Sequence, residues 1–504
     1  MTHALEKPAD RLLFALALLL VFMMSARAPV DTDMWWALRV GKEIVTTGDL
    51  VRTDFITYTH AGNDWVAHSW LFDVILYGMF SWLSYHGLTL LVALLASAIA
   101  AVMWFQLSGS AIFRTIMVVF AGLIAAPTWT PRPQMISMLF LCLTILILFL
   151  YRRSKERKLL FLIPPMMLLW ANLHGGYILG LLAIGTLIAG EIGDHLLLHN
   201  TEDGLDWLQI RDLAMLVGVS LLVTLITPYG FGTWEISVST FNMQVNNLIS
   251  EWLSPNFHES VTLPYFISIL VLVGTLALKK RPVAGWEAIM IMLFLYFSLN
   301  ARRQIGAYAV AVVPILARSL WTLLVAWWQH VEIYLAAGHQ PVLDWIRRIT
   351  TPKPAKENKW INLLVVALFA LICWGKLVYV SVDYLVEEVL NPATFPVEAV
   401  RAMKAANLEG QLFNEYDWGG YLSWWAPDTP VYIDARADLF GDEFIFRWHH
   451  ICEGTEDWKA QFEQWGITQV MLAANRPLAK TLALQPDWNI IYEDEIAVFM
   501  VKTK

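Results

Sequence analysis

Asp31 and Asp33 open a polar, aromatic stretch, VDTDMWWALRVGKEIVTTGDLVRTDFITYTHAGNDWVAHSW (Val30 to Trp70), set between apolar segments. A positioned carboxylate can take the proton of an attacking hydroxyl, and a pair of them can ligate a metal ion. His60, Asp64 and His68 in the same stretch are also metal-ligand types, but their spacing is unspecific. A divalent metal therefore stays open as a cofactor, and none is required. Arg132 lies in the link TWTPRPQ, Asn172 and His174 lie in WANLHGG, and Arg302 and Arg303 lie in NARRQ. The guanidinium fork matches phosphate oxygens, so arginines at the ends of apolar segments suggest an anion such as a phosphate or diphosphate. Ionisable groups near membrane depth are costly unless paired, which makes each a functional candidate.

Each candidate also has a plainer role. Asp31 can cap a helix starting near Met34, Arg132 can anchor a link at the interface, and His174 can satisfy backbone at a helix break. Trp36 and the other tryptophans fit interface belts as well as sugar-stacking platforms.

The elements that position these residues follow from composition. Of 504 residues, 57% are hydrophobic and 15% charged, where a soluble domain carries about 25% charge. Long, nearly uncharged windows succeed one another, which predicts a polytopic α-helical membrane protein. Spans are expected at 11–24, 87–107, 111–127, 133–151, 159–172, 176–198, 212–228, 262–278, 284–299, 304–327 and 360–382, about 11 in all. Leu71 to Tyr85, interrupted by Asp73, is expected to lie in the interface. Basic clusters at Arg152–Lys158, Lys279–Arg281 and Arg347–Lys359 then all fall in the cytoplasm. The N-terminus is inside, and the loop 28–70 shares the outer face with Arg132, His174, the segment Tyr229–Ser260 and Arg302–Arg303. The formal net charge of −8 argues against nucleic acid as a partner. Three cysteines, two of them in apolar runs, give no disulfide framework.

Residues 1–382 form the membrane part, and 383–504 are polar enough for an extracytoplasmic domain. Gln411–Tyr416, Val431–Ile433, Ile467–Ala473 and a pair within Trp488–Lys502 turning at Asp494 are expected strands. Asp442–Glu453, Asp457–Trp465 and Pro477–Leu484 are expected helices. This is an α/β pattern. DARAD (Asp434–Asp438) follows an expected strand end and is either a ligand site or a salt-bridged turn. NEYDWGGYLSWW (Asn414–Trp425) either cradles a sugar or docks the domain onto the membrane part.

Together, the cytoplasmic N-terminus, the long acidic first outer loop, about 11 spans and the soluble outer domain resemble the GT-C class of integral-membrane glycosyltransferases. Protein O-mannosyltransferases and the bacterial lipid A aminoarabinose transferase are members of that class. DTDMWW, HSWL, RPQ, WANLHGG, WGGYL and IDAR are more narrowly similar to bacterial GT-C-like membrane proteins, in which His often follows the paired Trp; here that residue is Ala37. The resemblance implies a multi-pass protein of the bacterial inner membrane. It implies a polyprenyl-phosphate- or diphosphate-linked sugar as donor and a lipid, glycan or protein acceptor on the outer face. It assigns the role of base or metal ligand to Asp33 or Asp31. With Arg132, His174, Asn172, Arg302, Arg303, Trp36 and His68 as substrate-binding candidates, the chemistry expected is an inverting transfer with Asp33 as base. An O-antigen ligase-like or polymerase-like enzyme and a transporter or assembly scaffold are the alternatives. The first usually carries its large loop later in the chain, and the second should show repeated halves.

Overall fold

The computed structural model describes residues 7–198, 204–279, 282–342, 344 and 358–503. Helices α1 (Pro8–Ser25), α2 (Thr32–Thr47), α3 (Trp70–Gln106), α4 (Ala111–Ala125), α5 (Gln134–Ser154), α6 (Ile163–Leu173) and α7 (Ile178–Gly193) come first. They are followed by α8 (Trp207–Val223), α9 (Phe231–Asn242), α10 (Leu263–Leu278), α11 (Gly285–Asn300), α12 (Ile305–Gly338) and α13 (Lys359–Val380). Among the described residues, 8 helices are long and apolar enough to cross a membrane. The other three expected spans are the shorter helices α6, α8 and α11, of 11, 17 and 16 residues. In α6 the pair Pro164–Pro165 allows an α-helix to begin only at Ile163, after a 3-10 turn over Arg157–Leu162. Lys280, Arg281 and most of the expected basic cluster 347–359 lie outside the described residues.

A break falls inside α3, at the end of the stretch Leu71–Tyr85 that the sequence separates from the next span. Ser84 adopts φ 52° and ψ −142°, so two helices meet there at a kink. The first half of α3 lies against α2, and the approach is close. A Cβ on Gly41 would stand 2.1 Å from the carbonyl oxygen of Asp73. The 21 residues of α5 span about 30 Å at ~1.5 Å per residue, the thickness of a bilayer core. Arg132 precedes one end of α5, and Arg152 and Arg153 occupy its other end.

The C-terminal part holds β1 (Gln411–Asn414), β2 (Ile467–Ala473), β3 (Trp488–Glu493) and β4 (Ala497–Lys502) in the order β1-β2-β4-β3. β1 and β2 are parallel, and the other two pairings are antiparallel. Helices α14 (Val397–Ala406), α15 (Gly419–Trp425), α16 (Ala437–Cys452), α17 (Trp458–Trp465) and α18 (Pro477–Ala483) complete it. α16 begins earlier than expected because Gly441, at φ 70°, joins a short turn to the main helix. Val431–Ile433 is not a ladder strand. Val431 makes a single parallel bridge to Leu412 of β1; beyond it, Asn414 Oδ1 accepts from Tyr432 N at 2.8 Å and Asn414 Nδ2 donates to Ile433 O at 2.8 Å, so a side chain continues what the strand does not.

Val431 also pairs with the first loop, through a bridge to Thr57. Tyr58 N donates to Val431 O at 3.1 Å, and Val431 N donates to Ile56 O at 3.3 Å. Thr59 Oγ1 donates to Tyr432 O at 2.7 Å. One apolar core accordingly contains Met34, Trp35, Leu38 and Trp65 of the loop together with Leu412, Tyr421, Leu422 and Phe499. α15 lies on α2 with Gly420 at the crossing, where a Cβ would stand 3.1 Å from Trp36 N. Asn414–Trp425 therefore docks the C-terminal part onto the first loop.

Replacing Gly41 by Ala should destabilise the fold by about 1–3 kcal/mol through overpacking. Gly78→Ala, in the same helical pair but with nothing within 4 Å of an added Cβ, should leave it unchanged or raise it slightly. Thermal unfolding in detergent distinguishes them, and equal effects would contradict the close crossing.

Candidate functional site

α2 starts where it does because Asp31 caps it. Asp31 Oδ1 accepts from Asp33 N at 2.9 Å and from Met34 N at 3.2 Å. The plainer role of Asp31 is thus real, but it is not the whole role. Arg132 Nε donates to both Asp31 oxygens at 2.8 Å. Its Nη1 lies 2.8 Å from Asp33 Oδ2 and 2.6 Å from Glu251 Oε2. Arg303 Nη1 reaches the other oxygen of Glu251 at 3.1 Å, and its guanidinium stacks 4.3 Å from the Trp252 ring. Three carboxylates thus share two guanidinium groups.

The charges are unequally satisfied. Asp31 has two backbone donors and Arg132, and Glu251 has both arginines; Asp33 has one ion contact at Arg132. Burial, opposed by Arg132 but reinforced by Asp31 and Glu251, pushes the Asp33 carboxyl up to about 7. Burial also raises Glu251, but Arg303 and Arg132 outweigh it and hold it below the usual range. Burial opposes the charge on Arg132, and its three carboxylates overcome that opposition. The raised carboxyl, that of Asp33, has a side chain 26% exposed.

Asp33 faces a cavity of about 620 Å³ between the membrane part and the C-terminal part. Trp36, His68, Arg132, His174 and Arg303 line it with Asp33. Ser137 Oγ lies 2.6 Å from His174 Nδ1, which also accepts from Gly176 N at 3.2 Å. A nitrogen accepting from backbone carries no proton, so the ring proton is on Nε2. Burial pulls His174 well below the ordinary imidazole range and lowers His68, so both are neutral. Their ring centroids are 6.2 Å apart.

Other candidates fall elsewhere. Asn172 accepts from Trp70 Nε1 and donates to the carbonyls of Leu168 and Ile226, a structural role that keeps it off the cavity wall. Arg302 pairs with Glu259 at 3.1 Å and also does not line the cavity. Arg132 does not present a free fork to a phosphate, since carboxylates occupy it; Arg303, on the same membrane side of the cavity, has Glu251 as its hydrogen-bond partner among the described residues and keeps N–H groups to spare. His60 packs edge-on against Phe440 and Phe444, apart from His68, which dissolves the His60–Asp64–His68 grouping. Between Asp31, Asp33 and Glu251, the place of a divalent ion is filled by the guanidinium of Arg132. No group of three or more His, Cys, Asp or Glu among the described residues has metal-holding geometry. The site does not fit a metal in this arrangement.

The sequence did not single out Glu251 or Trp252, which lie in a segment with no motif around them. Tyr416, Asp417, Asp438 and Arg476 form the C-terminal side of the cavity. In DARAD, Arg436 is fully buried and reaches Asp434 at 2.6 Å and Asp54 of the first loop at 2.7 Å, stacked 4.6 Å from the Trp65 ring. The salt-bridged turn is the structural role of Asp434 and Arg436, and its third member belongs to another segment.

No protein-family model and no curated protein sequence matches the chain. Among solved structures, the undecaprenyl phosphate-bound ArnT from Cupriavidus metallidurans superposes with TM-score 0.52 at 15% identity, over 97% of both chains. The oligosaccharyltransferase AglB from Archaeoglobus fulgidus, with an inhibitory peptide and dolichol-phosphate, gives TM-score 0.56 at 10% identity, over 93% of this chain and 70% of that one. An Archaeoglobus fulgidus oligosaccharyltransferase in the apo form gives 0.58 at 9% identity, over 93% of this chain and 70% of that one. ArnT and AglB are both GT-C glycosyltransferases. This chain is a multi-pass membrane protein with the GT-C fold, including a C-terminal domain on the polytopic helical part.

Replacing Arg436 by Met strands two buried carboxylates, at a cost of about 3–5 kcal/mol. The expected outcome is a loosened first loop: limited proteolysis between Thr47 and Ser69 accelerates while the helical content of the spans persists. Unchanged resistance would contradict the clamp.

Proposed function

We propose that the protein is a glycosyltransferase of the bacterial inner membrane. It moves a sugar from a polyprenyl-phosphate or polyprenyl-diphosphate carrier to an acceptor hydroxyl on the outer face. The observation that carries this reading is Asp33, a cavity-facing carboxyl raised to about 7 beside Arg132. A base with its pKa near the working pH combines a useful ionised fraction with proton affinity.

In the proposed reaction the acceptor oxygen attacks the anomeric carbon and its proton passes to Asp33. The bond from that carbon to the carrier phosphate breaks, and the phosphate leaves with the electron pair. Arg303, with N–H groups to spare, and the Nε2–H of neutral His174 are the donors proposed to receive the developing charge. Asp31 and Glu251 hold Arg132, which positions Asp33. One displacement inverts the anomeric centre. No step runs through a metal.

The test uses protein in lipid with a panel of radiolabelled polyprenyl-phosphate and polyprenyl-diphosphate sugars, with a native membrane extract supplying the acceptor. Label should leave one donor in the wild type and stay on the carrier with Asp33→Asn. Folded protein that releases no label from any donor would contradict the reading. The pH dependence is a second check. A base must be ionised, so kcat/KM should rise about tenfold per unit below pH 7 and level off above it. Glu251→Gln removes a negative charge that raises Asp33, so the rise should move to lower pH. A shift to higher pH would contradict the assignment.

A further inference from the structure

The cavity has two chemically different walls. The membrane side carries Arg132 and Arg303 with their carboxylates and the two neutral imidazoles. On the C-terminal side, Asp417 is open to the cavity and makes no hydrogen bond or ion pair among the described residues. Enclosure by protein, with Glu415 nearby, raises its carboxyl against the pull of Arg132 and Arg476. Asp438 accepts from Trp65 Nε1 at 3.0 Å and lines the same wall. Two cavity-lining side chains beside these acids are almost fully buried: Tyr416 at 8% exposure and Arg436 at 1%. Tyr416 Oη and Arg436 Nη1 have no hydrogen-bond partner among the described residues. Burial and the surrounding Asp33, Asp417, Asp434 and Asp438 hold the Tyr416 hydroxyl protonated, so it is a donor.

A buried donor without a partner costs about 1–3 kcal/mol. Two of them on one cavity wall, next to two carboxylate acceptors, call for a ligand that both accepts and donates. A hydroxyl does both; a phosphate only accepts, and Asp417 and Asp438 repel it.

We propose that Tyr416, Asp417, Arg436 and Asp438 form a recognition wall for the uncharged, polyhydroxylated ring of a sugar, set apart from the Arg303–His174 side that takes phosphate. The ring belongs either to the donor or to a glycan acceptor. Its oxygens accept from Tyr416 Oη and Arg436 Nη1, and its hydroxyls donate to the two aspartates. The proposal rests on the transferase reading for the identity of the ring, and on the wall's own chemistry for its charge.

The full chain in lipid nanodiscs is titrated with methyl pyranosides, their 6-phosphates and undecaprenyl phosphate, followed by saturation-transfer NMR. Neutral pyranosides should bind, and the phosphorylated rings should bind at least about tenfold more weakly. Tyr416→Phe, which keeps the ring and removes the hydroxyl, should weaken neutral pyranosides about five- to tenfold and leave undecaprenyl phosphate unaffected. Asp417→Asn should narrow the gap between neutral and phosphorylated rings, a change that a merely structural role would not produce. The wall is overturned if no pyranoside binds, if the phosphorylated ring binds as well as the neutral one, or if both variants match the wild type, as they would with water alone against these groups. Two further measurements separate the sources. A donor ring makes Tyr416→Phe weaken the polyprenyl-linked sugar relative to undecaprenyl phosphate; an acceptor ring makes it raise the acceptor KM and spare donor binding. Variant-sensitive pyranoside binding without transfer from any donor leaves the wall standing and removes the transferase reading.

Discussion

A single guanidinium, that of Arg132, meets Asp31 and Asp33 from the start of α2 and Glu251 from a segment more than a hundred residues further along. Its own backbone sits between Pro131 and Pro133 at the head of α5. Three parts of the chain are thereby fixed at one point. Breaking such a buried cluster by removing one partner costs about 3–5 kcal/mol, because the remaining charges stay buried without compensation. The cluster also sets the protonation of the site. Two arginines cannot fully neutralise three carboxylates, and the least well held of them, Asp33, opens to the cavity alongside Glu251.

The C-terminal part is tied to the same loop by the same device. Arg436 joins Asp434 to Asp54, Trp65 covers its face, and backbone bonds from Ile56 and Tyr58 to Val431 complete the seam. The cavity thus has one wall on the membrane helices and one on the C-terminal domain, with the first loop fixed to both. Neutral His68 and His174 keep the membrane side from gathering further positive charge.

Much of this was legible in the sequence, and the residues explain why. Charged groups at the ends of apolar spans are rare, so Asp31, Asp33, Arg132 and Arg303 stood out, and the basic clusters sorted them onto one face. Their partners did not stand out. Glu251 lies in a segment with no periodicity, and the contact that matters spans 119 residues. Arg302 and Arg303 look identical in sequence; only the 3-10 turn at Arg302–Gln304 turns one toward Glu259 and the other toward the cavity. Val431–Ile433 has the composition of a strand, yet it keeps only one bridge to β1, and its other bonds go to the Asn414 side chain and to the first loop, which local pattern does not encode. Likewise, Arg132 looked like a phosphate ligand because its counter-charges are distant in sequence.

The account's central claim is that Asp33 acts as a base in one direct displacement rather than as a nucleophile. The most direct test is the anomeric configuration of the product, read by proton NMR from a donor of defined configuration. Inversion is the predicted result; retention would require a covalent intermediate or a second displacement and would contradict the account.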